Sequence, residues 1–302
     1  MPLYEGPILD AHHHTIWDVK NNYPWMNGPM NPMIFGDDWS PMKNEYSIEN
    51  LIDEYDGHNL SQSVHVQANF DISRTSDETR GLQGFADKFG FPNGIVAHAD
   101  LTDPNLENVI ESHIQYANTR GIRQQVYWHP SNTNWRFVEN PDFCLSNAFR
   151  RGLSVVGEKG LTFDWQGFTN QFGLLADLAK THSGVRFCLV HAGMLTSTET
   201  SIVNEWSEEL KKLKPFENIF IKVSGLNTFT RQLSEPIMKQ ATDTALDMFG
   251  ADRCFFGSNF PVERMWTTVN DYVSTQKNIM SGRSDEENEK FFHKTGKDFY
   301  QI

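Results

Sequence analysis

Short apolar runs recur along the chain, and each turns polar toward its C-terminal end. The runs cover residues 8–11, 63–68, 94–100, 121–128, 161–164, 185–191, 219–224 and 254–259. Their β-branched and aromatic content predicts eight strands. Between them, apolar residues return at helical spacing over 47–55, 75–89, 103–119, 140–151, 171–181, 199–213, 235–249 and 285–300. Ser47 offers an N-cap, and Asp103-Pro104 offers a helix entry. Strand followed by helix, repeated eight times, predicts an α/β fold: a (β/α)8 TIM barrel, with residues 1–302 as one domain. A doubly wound sheet is the rival, and eight regular units favour the barrel.

Residues 15–46 break this rhythm. Trp17, Tyr23, Pro24, Trp25, Met26, Pro29, Pro32 and Trp39 make the segment too apolar for a linker and too punctuated for a helix. It follows the first strand, so in a barrel it lies over the mouth. We expect a lid or pocket wall there.

In a barrel the C-terminal strand ends carry the active site. Strand alternation groups His12 with His14, His65 with Gln67, and His98 with Asp100. It also groups Arg123 with Gln125 and Tyr127, Thr162 with Asp164, and Lys222 with Ser224. His191 and Asn259 end their strands. Polar ends on so many strands point to a polar pocket, because each unsatisfied buried group would cost about 1–3 kcal/mol. The strongest signal is Asp10-Ala11-His12-His13-His14. Imidazoles at i and i+2 of a strand enter one cavity, where they suit a metal or a polarised carbonyl. Arg123 is the candidate anchor for a substrate carboxylate, since its planar fork binds carboxylates bidentately. Lys222 can do the same or hydrogen-bond a carbonyl, and His65 and Gln67 join them as candidate substrate contacts.

Ile8-Leu-Asp-Ala-His-His-His-Thr-Ile-Trp-Asp18, Val190-His-Ala-Gly193 and Phe256-Gly-Ser-Asn-Phe-Pro-Val262 resemble motifs of the amidohydrolase superfamily. Glu78-Thr-Arg-Gly-Leu-Gln83 and Ile221-Lys-Val-Ser-Gly-Leu226 fit the same pattern, which is similar to the lactonase-rich, amidohydrolase-2 type branch. The resemblance implies a hydrolase that opens a small carboxylated or sugar-acid lactone, or a related ester. It implies that His12, His14 and His191 polarise the carbonyl. In ancestral-type members such histidines hold zinc or manganese, whereas lactonase members can work without a metal. Both options stay open for this chain. Asn259 stands where many relatives carry the aspartate that activates water, and an amide cannot accept a proton at neutral pH. Asp164, Glu263, His191 and Asp100 are the candidate replacement bases. A metal-dependent decarboxylase and a non-catalytic sugar-acid-binding barrel are the alternative readings.

Charge narrows the partners. With 26 Lys+Arg against 39 Asp+Glu, the formal charge is −13. No basic footprint serves nucleic acid or an anionic membrane. A small anionic lactone remains open, since one local Arg can hold it. Cys144, Cys188 and Cys254 lie far apart without a CxxC, which excludes a disulfide framework and a cysteine-rich zinc site. Neither a signal-peptide pattern nor a membrane-length apolar run is visible, so a cytoplasmic protein is expected. A homodimer through barrel helices is one open arrangement on general grounds, and the sequence does not reveal the oligomeric state.

Overall fold

The computed structural model describes residues 3–28, 34–36 and 38–302. Its eight strands are β1 (Ile8–His13), β2 (Leu60–Val66), β3 (Gly94–His98), β4 (Thr119–Arg123), β5 (Thr162–Trp165), β6 (Phe187–Leu189), β7 (Ile219–Val223) and β8 (Cys254–Phe256). They form one sheet in chain order, and every neighbouring pair is parallel. The ring closes where β1 meets the chain after β8. There the Asn259 N–H donates to the His12 carbonyl at 2.6 Å and the His14 N–H to the Phe260 carbonyl at 2.7 Å. The fold is a (β/α)8 barrel.

The helices are α1 (Val19–Asn22), α2 (Ile48–Glu54), α3 (Thr75–Phe89), α4 (Leu106–Ile114), α5 (Asn147–Glu158), α6 (Phe172–Thr181), α7 (Thr200–Lys211), α8 (Glu235–Phe249), α9 (Val269–Met280), α10 (Asp285–Glu289) and α11 (Thr295–Tyr300). A π-helical turn, Lys290–Lys294, joins the last two, so the helix expected over 285–300 is present with one irregular turn. The helix expected over 140–151 begins later, because Ser146 caps it by accepting from the Phe149 N–H. Helix α9 was not expected. Polar Asn270, Asp271, Ser274 and Thr275 dilute its apolar stripe. Among the described residues no helix is long and apolar enough to cross a membrane.

Two apolar layers follow from strand alternation. Leu9, Ala11, Val64, Val66 and Val96 face the barrel axis and meet Phe299 and Tyr300 of α11. Ile8, Ile122, Phe163, Phe187 and Ile219 face outward in the larger core shared with the helices. Helix α11 closes the end where the strands begin: Arg186 donates to the Asp298 carbonyl and Arg120 to that of Gln301. The opposite end is open. The described part of segment 15–46 folds over it, with an antiparallel bridge between Ile16 and Tyr46. The Trp25 indole N–H donates to the Ala68 carbonyl at 3.0 Å. Residues 29–33 and 37 of that segment lie outside the described residues.

Candidate active site

The site starts with a register shift in β1 between Asp10 and His13. A shift of this kind lets the bulged strand re-aim its side chains. Ala11 faces the barrel axis, yet the ring of the next residue, His12, packs among other site histidines, 5.1 Å from His14 and 4.7 Å from His191. Asp10 pins the distortion from outside. Its carboxylate accepts the N–H groups of His12 and Ser258 at 3.1 and 2.8 Å, and the hydroxyls of Ser258 and Tyr55 at 2.5 and 3.0 Å. Asp10 thus ties β1 to the turn that carries Asn259. Asp10 had no separate role at the level of sequence, because an outward Asp on a strand carries no distinguishing signal.

His191 follows β6 in strained backbone. His191, Ala192, Gly193 and Met194 all have left-handed φ, at 56°, 48°, 73° and 55°. Such runs persist only where the surroundings enforce them, and they concentrate at functional sites. Gly225 makes room for the ring, since a Cβ there would lie 2.4 Å from His191 Nδ1. The same nitrogen lies 2.8 Å from Ser224 Oγ. Asn259 also has a left-handed φ of 66°, a conformation that Asn tolerates.

A cavity of about 700 Å³ opens at the C-terminal ends of the strands. His14, Arg123, His191 and Asn259 line it, as do His98, Asp100, Gln125 and Tyr127. His12 is fully buried behind His14 and His191, and among the described residues neither of its ring nitrogens has a partner. His14 Nδ1 lies 2.6 Å from the Val66 carbonyl. A carbonyl only accepts, so neutral His14 carries its proton there and presents a lone pair on Nε2. Burial, reinforced by the positive charges of Arg123 and Lys222, holds the His12 and His191 imidazoles well below their ordinary range. Burial and then Arg123 do the same for His14. All three are neutral at working pH.

Arg123 is 4% exposed and donates through Nη2 to the Gln67 carbonyl. Its Nε–H is buried without a partner, and among the described residues no carboxylate lies within 4.0 Å of it. Burial lowers its guanidinium to about 10, so it stays charged. An unpaired buried cation on a cavity wall is a ready anion site.

The structure leaves His65, Gln67, Lys222, Asp164 and Glu263 off this wall and keeps Asp100 on it. Val64 and Val66 take the axial face of β2, so His65 points outward. Its Nδ1 accepts the Thr15 N–H at 2.9 Å, and its Nε2 lies 3.4 Å from Glu78. The Gln67 side chain accepts the Asn69 N–H at 2.7 Å. Lys222 and Asp164 do face the axis, but beneath the cavity. They pair at 2.6 Å, and Tyr300 hydrogen-bonds both, at 2.6 Å from Lys222 and 2.9 Å from Asp164. Asp100 accepts from Thr102 and Gln124. Glu263 is buried behind Asn259 and accepts from Asn227 Nδ2 at 2.7 Å. Gln125, Ser224 and Gly225 gained no functional role from the sequence. The alternation that placed Gln125 beside Arg123 was the available signal.

The three imidazoles are the ligand type that zinc or manganese accepts. However, among the described residues no three His, Cys, Asp or Glu side chains converge to hold an ion. Asn259 supplies no negative charge, and the fixed charges acting on His12 and His191 are the cations Lys222 and Arg123. This donor set does not fit a resident dication.

A family model described as amidohydrolase matches residues 9–302. An uncharacterized protein of Sinorhizobium fredii is 32% identical over 296 residues, covering 98% of each chain. An L-fucono-1,5-lactonase of Burkholderia multivorans is 27% identical over 267 residues, 84% of this chain and 82% of its own. The crystal structure of an amidohydrolase from Burkholderia multivorans with bound zinc superposes with a TM-score of 0.83 at 22% identity, covering 98% of this chain and 100% of that one. That likeness speaks for the fold, and the family match spans nearly the whole chain: the protein belongs to the amidohydrolase family.

Proposed function

We propose that the protein hydrolyses a small lactone, or a related ester, that bears a carboxylate. One observation carries this reading: Arg123 is a buried, unpaired guanidinium on the wall that it shares with neutral His14 and His191. The name of the Burkholderia multivorans lactonase favours the lactone, while the carboxylate rests on Arg123 alone.

The substrate carboxylate docks on Arg123. That neutralises one of the charges holding His191 down, so its pKa rises toward the working range when an anion is bound. With its proton on Nδ1 and donated to Ser224, His191 presents a lone pair on Nε2. It takes a proton from water as the water oxygen attacks the carbonyl carbon. His14 Nε2 accepts the other water hydrogen and orients the attack. This revises the expectation that His14 polarises the carbonyl, because its only proton is committed to Val66. The Asn259 amide donates to the oxygen that becomes negative, a task that needs a donor rather than a base. Collapse breaks the ring C–O bond, and His191 returns its proton to the departing alkoxide. The product is a hydroxy acid.

Proton release from matched lactones with and without a carboxylate tests this. The carboxylated member should have at least tenfold higher kcat/KM. His191→Gln should lower kcat by about 100-fold or more, and Arg123→Met should raise KM at least tenfold. Equal turnover of neutral lactones, or full activity in His191→Gln, would contradict the reading.

A further inference from the structure

The cavity is built in two chemically distinct parts. His14, Arg123, His191 and Asn259 form a polar floor. Above it stand Trp25, Phe35, Met42 and Phe70, and at the mouth Ile72 and Phe137. The last two are 78% and 42% exposed, and they are among only three large apolar side chains this exposed among the described residues. Large apolar groups left open to water at a cavity mouth mark a surface that a ligand covers. Both are held in place. Phe137 packs on Tyr127 with ring centroids 5.5 Å apart, and its N–H donates to the Tyr127 carbonyl. Ile72 opens the turn that Asp71 caps through the Ser73 N–H.

The carboxylates on the same wall each brace a turn, Asp100 and Asp103 through one oxygen only among the described residues. Asp71 accepts from the Ser73 N–H and hydroxyl, Asp100 from the Thr102 N–H and hydroxyl and from Gln124, and Asp103 from the Asn105 N–H. Each closes its own turn. A lone lactone carboxylate would fill only a part of about 700 Å³.

We propose that the substrate is an amphiphile: a carboxylated lactone or ester whose reacting end sits on the Arg123 floor and whose alkyl or aryl substituent lies between Trp25, Phe35 and Met42 on one side and the Ile72–Phe137 rim on the other. This rests on the hydrolytic reading above and names its substrate class. Polyhydroxylated sugar lactones would leave that apolar part unfilled.

The test uses γ-lactone carboxylates bearing hydrogen, butyl, hexyl or benzyl, alongside aldonolactones. Turnover is followed by proton release, and binding of the ring-opened acids by calorimetry. Both kcat/KM and affinity should rise about threefold per methylene until the cavity is filled. In Ile72→Ser with Phe137→Ser, the hexyl-to-unsubstituted ratio of kcat/KM should fall about tenfold. A flat series, or aldonolactones turned over better than the hexyl compound, overturns the proposal and leaves lactone hydrolysis standing. No turnover, with affinity still rising along the acid series, sinks the hydrolytic reading and keeps the apolar site. No turnover with flat binding sinks both.

Discussion

Glu263 lies behind Asn259 with one oxygen on Asn227 and, among the described residues, the other without a partner. Burial pushes its carboxyl up to about 8. It is therefore protonated at neutral pH, which removes it as a resident base. Its folded pKa exceeds its unfolded one, so its favourable contribution is complete below about 4.5 and is lost as the pH climbs through 8. The loss is about 1.4 kcal/mol per pH unit across that window. Glu263→Gln keeps the shape without the charge. The melting temperature of the variant relative to the wild type should rise from pH 5 to pH 8 and level off above; a difference constant with pH would contradict the assignment. His12, His14, His191 and Arg123 were legible because chemistry-bearing residues stood at strand ends. The outward turn of His65 was not, because alternation defines two faces but not which one meets the axis.

At the scale of elements, the chain ties its own barrel shut from below. Lys222 of β7, Asp164 of β5 and Tyr300 of α11 form a fully buried knot. Lys222→Met would strand the Asp164 charge, costing about 3–5 kcal/mol of stability. Adding Asp164→Leu should restore most of it, and urea melts of the single and double variants measure both. Failure of the double to recover would mean that the pair contributes more than charge compensation. The strands and most helices could be read from apolar spacing, since each buries one face against the next layer. The start of α5 and the whole of α9 could not, because caps and tertiary burial, rather than periodicity, define them.

Across the whole molecule, a net charge of −13 surrounds a floor built on Arg123. The acidic exterior repels an anionic substrate on approach, and added salt screens exposed charge more than a buried guanidinium. Hence kcat/KM for a carboxylated lactone should rise a few-fold from low to physiological ionic strength, while a neutral ester stays level. A fall with salt would place the dominant attraction at the surface. The barrel itself was the most legible level, because eight strand–helix units leave few ways to close a sheet. The balance of charge inside the cavity needed the structure, since it depends on which side chains pair: Lys222 with Asp164, and Arg123 with none among the described residues.

In the proposed chemistry, neutral imidazoles and an arginine open an anionic lactone without a resident dication. The most direct measurement is kcat/KM on a carboxylated lactone after exhaustive chelation, with the residual metal quantified, before and after zinc or manganese is added back. The expected rate is unchanged by chelation and by either metal. A rate abolished by chelation and restored by metal would contradict it.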